Sequence, residues 1–302
     1  MSIRPSPVTV RVPATSANLG PGFDSFALAL AAHDEVTAHV LPSGLRVDIA
    51  GEGSDILPRD EDNLVVRSLL AALDRHGEQP SGLVLQCRNT IPQARGLGSS
   101  AAAIVAGITL ADALLGGDVL SADDQLALAN AMEGHPDNVA ACLAGGLTIS
   151  WLDGTTAPRS VRLDPGESIR PVLFVPHSAA LPTVQARQIL PTEVPHADAA
   201  ANSARAALLA IALTQRPELL WTATQDRLHQ HYRRAAMPDS LALLDRLRLE
   251  GVPAVISGAG PSVLALTEDA GAEGLAGRVE PGWRPLRLPV DRQGATLVPT
   301  EH

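Results

Sequence analysis

A loop built mainly of small residues stands between two segments of opposite character, and it constrains the fold more than any other feature. Residues 92–102 read PQARGLGSSAA. Before them, residues 83–88 (LVLQCR) read as a strand, and after them residues 100–115 are alanine-rich and predict a long helix. A strand that turns through Gly96 and Gly98 into a helix requires a mixed α and β fold. Glycine permits φ > 0 and lets the backbone press against a ligand. Ser99 and Ser100 add hydroxyls and free amides where the helix begins. Amide donors, a positive dipole end and hydroxyls able to reach Mg²⁺ together form an anion cradle. The plainer alternative is a glycine turn followed by a serine N-cap. The segment is neither GxxxxGK[ST] nor GxGxxG, so the two commonest nucleotide motifs do not describe it.

Basic residue usage narrows how such a cradle could work. All 23 basic residues are arginine, and the chain has no lysine. That excludes a P-loop lysine, a protein-kinase strand lysine and a Schiff-base lysine. A chain of this kind would handle ATP through backbone amides and arginine. The formal net charge of −10 argues against nucleic acid or anionic lipid as partners. Aromatics are 2% of the chain, so its core must be Ala, Leu, Val and Ile. At 302 residues the length suits two domains. Cys87 and Cys142 lack metal-like spacing and read as small buried hydrophobes in a reducing compartment. The first residues lack an apolar signal core, and the longest apolar run, 101–111, is too short for a membrane span. The expectation is a soluble cytoplasmic protein.

Patterning along the chain predicts strands at 8–12, 34–41 and 45–50, the last two as a pair joined by Pro42, Ser43 and Gly44. Residues 63–76 and 124–133 predict helices, HPDN a loop, and 147–152 a strand. The polar stretch 154–168 carries the expected domain boundary, near residue 165. Beyond it, 171–175 predicts a strand, while 197–213, 217–235 and 239–250 predict helices. Residues 254–257 and 262–267 flank a glycine turn, and a final strand is expected near 285–290.

Three further segments could carry chemistry. Residues 15–30, TSANLGPGFDSFALAL, place Asn18 and Asp24 in a glycine-rich turn at the edge of apolar runs. They either bind something polar or bond the local backbone. Residues 132–141, MEGHPDNVAA, gather Glu133, His135, Asp137 and Asn138 between two helical stretches, as a site or as helix caps. Residues 257–266, SGAGPSVLAL, form a tight turn between apolar runs.

In this order, the four segments resemble the GHMP kinases, named for galactose, homoserine, mevalonate and phosphomevalonate. PATSANLGPGFD, and EGHPDNVA followed by GG, are similar to the homoserine-phosphorylating branch. The resemblance runs from Val10 to Leu266. It implies an α+β, two-domain fold. Residues 1–165 would be an ATP-binding half like the second domain of ribosomal protein S5, and 166–302 a ferredoxin-like half. It also implies ATP wrapped by Pro92, Gln93, Ala94, Arg95, Gly96, Leu97, Gly98, Ser99, Ser100, Ala101 and Ala102, with Asn63 near the adenosine and Thr183 near the γ-phosphate. Ser100 and Glu133 would hold Mg²⁺. Asn18 and Asp24, near His135 and Asp137, would receive a substrate ammonium, while Arg187 and Arg233 would clamp its carboxylate. Arg234 is the neighbour that rivals Arg233. Asn138 would orient the reacting hydroxyl with no side chain acting as general base; Asp137 is the carboxylate that could otherwise serve. Ala27 and Ala141 depart from the family's usual glycine and proline, which bears on packing.

The implied activity is ATP-dependent phosphorylation of the L-homoserine hydroxyl to O-phospho-L-homoserine, on the route to threonine, by a protein expected to be a homodimer. The alternatives are a GHMP kinase for another small alcohol and a non-catalytic metabolite-binding relative.

Overall fold

A computed structural model describes residues 3, 7–154, 157–177, 181–278 and 281–299. The first half builds one sheet and a helical layer. Strands β1 (Val8–Ala17), β2 (Phe26–Leu41) and β3 (Gly44–Gly51) are followed by helix α1 (Leu64–Asp74) and strand β4 (Gly82–Asn89). Helices α2 (Ser99–Leu115), α3 (Ala122–Glu133) and α4 (Pro136–Ala144) then lead to strands β5 (Leu147–Asp153) and β6 (Ala157–Leu163). The sheet runs β11-β1-β2-β4-β3, with β5 joining β2 and β6 joining β5; β11 is Thr296–Val298, from the far end of the chain.

The expected pairing of residues 34–41 with 45–50 does not form. β4 lies between them, antiparallel to β2 and parallel to β3. Burial explains the order. Leu83, Leu85 and Cys87 of β4 are buried, so this strand takes the inner position. β3 carries the exposed Arg46–Asp48 ion pair at 2.8 Å and lies at the edge, where charge blocks further pairing. β6 was unforeseen in its polar stretch for a related reason, since five of its seven residues are exposed. Residues HPDN open α4, with proline in its first turn, in place of the expected loop.

The second half begins at β7 (Arg170–Pro176), so the boundary expected near residue 165 falls between the two sheets. Helices α5 (Thr183–Gln188), α6 (His196–Thr214), α7 (Leu220–Ala223) and α8 (Pro238–Leu249) follow. Strands β8 (Ala254–Ile256) and β9 (Val263–Thr267), helix α9 (Asp269–Ala276) and strand β10 (Trp283–Arg287) complete it. The order β10-β7-β9-β8 with intervening helices is the β-α-β-β-α-β arrangement of a ferredoxin-like domain. Residues beyond β10 return to the first sheet. Val290 bridges Leu30, and β11 pairs with β1.

Expected helix 217–235 is broken after α7. The Asp226 carboxylate accepts the backbone N–H groups of Leu228, His229 and Gln230, which wraps this stretch around one side chain. α5, α9 and β11 had no counterpart in the sequence expectations.

Strand β7 stands between two cores. Leu173 and Val175 of β7 pack into the large cluster that holds α1–α4, whereas Val172 and Phe174 pack with Leu241, Leu244 and Leu247 of α8. Alternate residues of one strand thus serve two cores, which is why residues 171–176 of β7 are apolar without a break. The unusual Ala27 and Ala141 pack with Ala17 as a small cluster of their own. No helix among the described residues is long and apolar enough to cross a membrane.

Candidate active site

Both halves contribute to a cavity of about 230 Å³. Its walls are the loop before α2, the turn after β1 and the α3–α4 junction, closed from the second half by α5, Arg233 and residues 258–260.

The loop before α2 is held in a shape that only glycine tolerates at two points. Gly96 and Gly98 have φ of 74° and 68°. A Cβ on Gly96 would stand 2.2 Å from the Ser257 carbonyl oxygen, and one on Gly98 would stand 2.0 Å from Thr15 Oγ1. Hydrogen bonds pin the same loop. Ser257 Oγ donates to the Gly96 carbonyl at 2.6 Å, and Thr15 N donates to the Leu97 carbonyl at 3.0 Å. Gly98 is the N-cap of α2 and has no capping side chain, so the first-turn amides remain open to an anion.

Ser100 Oγ donates to Glu133 Oε2 at 2.6 Å, which joins the first turn of α2 to the last residue of α3. Among the described residues no group of three or more His, Cys, Asp or Glu could hold a metal. Two hard oxygens beside a loop with open amides nevertheless fit Mg²⁺, which keeps several waters and shares phosphate oxygens.

Next along the wall, Asn138 is oriented by Thr15, whose Oγ1 donates to Asn138 Oδ1 at 2.7 Å. Asp137 is buried, and its Oδ1 accepts from the Asn138 backbone N–H and pairs with His135 Nδ1, each at 2.7 Å. Burial pulls the His135 imidazole down, but the Asp137 hydrogen bond and charge outweigh it, so the pKa is raised.

The far end of the cavity is charged. Arg187 meets Asp24 in a bidentate pair, Nη1 to Oδ2 at 3.0 Å and Nη2 to Oδ1 at 2.6 Å. This hydrogen bond, more than burial, sets the direction of the Arg187 pKa, which is raised. Asn18 ties the turn together: Oδ1 accepts from Asp24 N, and Nδ2 donates to the Gly258 carbonyl, both at 2.9 Å.

Arg233 is 1% exposed. Nε donates to the Ala186 carbonyl at 3.0 Å and Nη1 to His229 Nδ1 at 2.9 Å. His229 Nε2 in turn lies 2.8 Å from the Gly20 carbonyl, so that nitrogen carries the hydrogen and the ring is neutral. No described carboxylate forms an ion pair with Arg233. Burial, then repulsion from Arg187, pushes its pKa down to about 10. Asp226 and Asp24 attract Arg233 only at a distance, and a buried cation with no carboxylate in contact is costly, a cost that an anionic ligand removes. Phe23 lies beneath both guanidinium groups, its centroid 5.8 Å from Arg187 Cζ and 5.9 Å from Arg233 Cζ. Arg234 points elsewhere and pairs with Asp245 at the surface, at 2.9 Å.

A second cavity of about 190 Å³ lies across the loop, and Ser99 and Ser100 line both. Its wall is largely apolar, with Val36, Ile49 and Leu57. Asn63 lines it and caps α1, accepting from Val65 N at 3.0 Å.

Of the residues expected in the site, Asn18, Asp24, Ala94, Gly96, Leu97, Gly98, Ser99, Ser100, Glu133, His135, Asp137, Asn138, Thr183, Arg187 and Arg233 line the first cavity. Asn63, Gln93 and Ala102 line the second. Pro92, Arg95 and Ala101 line neither. Ala101 is fully buried in the core, and Pro92 and Arg95 line an outer groove with Val175 and Arg284. Thr15 and Ser257 open two of the segments singled out in the sequence but carry no expected role there, and His229 lies outside all four. His229, four residues before Arg233, offered a weak signal, but the broken helix left no face on which to read it.

Known proteins resemble this chain along nearly its whole length. Residues 63–146 match the GHMP kinases N terminal domain, and residues 200–280 match the GHMP kinases C terminal. Homoserine kinase from Streptomyces avermitilis is 57% identical over 300 residues, covering 99% of this chain and 98% of that protein. Homoserine kinase from Streptomyces coelicolor is 56% identical over 300 residues, covering 99% and 96%. The crystal structure of homoserine kinase from Cytophaga hutchinsonii superposes with a TM-score of 0.84 at 28% identity, covering 99% of each chain.

Proposed function

The chain belongs to the GHMP kinase family, and on that premise we propose that it is a cytoplasmic homoserine kinase. It transfers the γ-phosphoryl group of ATP to the side-chain hydroxyl of L-homoserine, giving ADP and O-phospho-L-homoserine on the route to threonine. The observation that carries this reading is that the amide-rich loop and the arginine-lined pocket open into one cavity. A phosphoryl donor at one end and a zwitterionic amino acid at the other fit that division of charge.

In this reading the nucleoside occupies the apolar second cavity beside Asn63, and the triphosphate crosses the loop at Ser99 and Ser100. Ser100 and Glu133 would hold Mg²⁺, which would supply neutralising charge to the phosphate oxygens. The open amides at the N-terminus of α2 stabilise the phosphoryl group during transfer. Arg233 binds the substrate carboxylate, joined by Arg187, and Asp24 the ammonium. Thr15 engages Asn138 Oδ1, so Asn138 presents Nδ2 to the substrate hydroxyl oxygen. A donor in that position orients the hydroxyl and cannot take its proton, which the phosphoryl oxygens accept. Residues 1–165 serve mainly as the ATP-binding half.

ADP release measured with homoserine, serine, threonine and mevalonate side by side tests the proposal. Homoserine should give the highest kcat/KM. Turnover that is absent with homoserine, or faster with mevalonate, would overturn it.

A further inference from the structure

The two groups assigned to opposite charges of the substrate are bonded to each other. Asp24, at φ 55° in the turn after β1, and Arg187, on α5, form the bidentate pair described above, with side chains 36% and 37% exposed. The neighbouring Arg233 is held by neutral partners and stands ready for an anion. One end of the cavity therefore contains an open cation and a closed ion pair.

We infer that the Asp24–Arg187 pair is a specificity latch, which only a ligand bearing both an ammonium and a carboxylate opens without leaving a charge unpaired. The inference rests on the reading of this cavity as an amino-acid site. A carboxylate that takes Arg187 must displace Asp24, and Asp24 then faces a second carboxylate with no cation of its own. An ammonium that takes Asp24 releases Arg187 beside Arg233, whose pKa is already depressed in part by that neighbour. A half-ligand that takes either member thus breaks an ion pair and creates a like-charge contact, while a carboxylate held by Arg233 alone leaves the pair closed and goes without the second arginine. A zwitterion exchanges one ion pair for two. Discrimination against molecules lacking either group comes from this cost as well as from the missing contact.

The test uses two halves of homoserine: 4-hydroxybutanoate, which lacks the amine, and 3-aminopropan-1-ol, which lacks the carboxylate. Dissociation constants are measured on the full chain for wild type, Asp24→Asn and Arg187→Gln, with thermal melting to verify folding. Asp24→Asn should weaken homoserine at least about tenfold yet tighten 4-hydroxybutanoate about three- to tenfold, the scale of a half-exposed ion pair no longer broken. Arg187→Gln should tighten 3-aminopropan-1-ol in the same way. Should either variant fail to fold, the other decides. If neither half-ligand gains affinity in its variant, including no detectable binding anywhere, the latch is overturned. A wild type that does not phosphorylate homoserine overturns the proposed function, and the latch with it. Wild-type turnover without the gain overturns the latch alone.

Discussion

Gly98→Ala tests how closely the phosphate-binding loop is built against the first strand. Two costs follow from the geometry. At φ 68° an alanine takes the left-handed conformation, which costs an L-residue about 1–2 kcal/mol. Its Cβ would also lie 2.0 Å from Thr15 Oγ1, and no contact survives at that distance. Thr15 is fully buried within β1, so relief requires rotation of its side chain and loss of the 2.7 Å bond to Asn138. Leaving buried polar groups unpaired adds about 1–3 kcal/mol. The substitution should therefore destabilise the fold by about 2–5 kcal/mol in urea unfolding. It should also lower kcat, because Asn138 loses its orienting partner. Thr15→Ala removes the atom that Cβ would strike, so the double variant should be more stable than the two single costs predict. A coupling above the roughly 0.5 kcal/mol additivity limit is expected. Additive behaviour, or a Gly98→Ala cost below about 0.5 kcal/mol, would refute this account of the loop.

Four other outcomes are expected. Ser100→Ala and Glu133→Gln should each lower kcat with melting temperature nearly unchanged, and wild-type turnover at saturating Mg²⁺ would remove that residue from the metal site. Arg233→Ala should raise the KM for homoserine by an amount equivalent to about 2–5 kcal/mol, with little change for ATP. Arg234→Ala should stay near wild type, because its partner Asp245 is at the surface; the reverse pattern would reassign the role. Asn138→Ala should lower kcat while Asp137→Asn keeps substantial activity, and loss of kcat together with the acidic limb of the pH profile in Asp137→Asn would make that residue the base. The raised His135 pKa contributes stability that is complete below about pH 6.5, its unfolded value, and is lost as pH rises through the higher folded value. His135→Gln should abolish that decline in unfolding free energy measured across the range, and an unchanged slope would assign it to other groups.

Local rules account for what could be read from the chain alone. The glycine–serine loop before a long alanine-rich helix pointed to a phosphate-binding mixed fold, and the absence of lysine excluded lysine-based phosphate sites. These are properties of neighbouring residues, and local backbone sterics and periodicity express them directly. Tertiary structure decided everything that depends on distant pairing. β4 displaces β3 from β2 because its apolar side chains gain more by burial than a charged edge strand does. β11 joins β1 from nearly 290 residues away, Thr9 opposite Val298, which no local pattern encodes. The choice between Arg233 and Arg234 was invisible in HYRR, since both have the same chemistry. Only the fold buries one beside His229 and leaves the other paired at the surface. Thr15 and Ser257 are ordinary strand and turn residues in sequence. They matter because folding carries them to the glycine loop, where a hydroxyl occupies the space that a side chain would need.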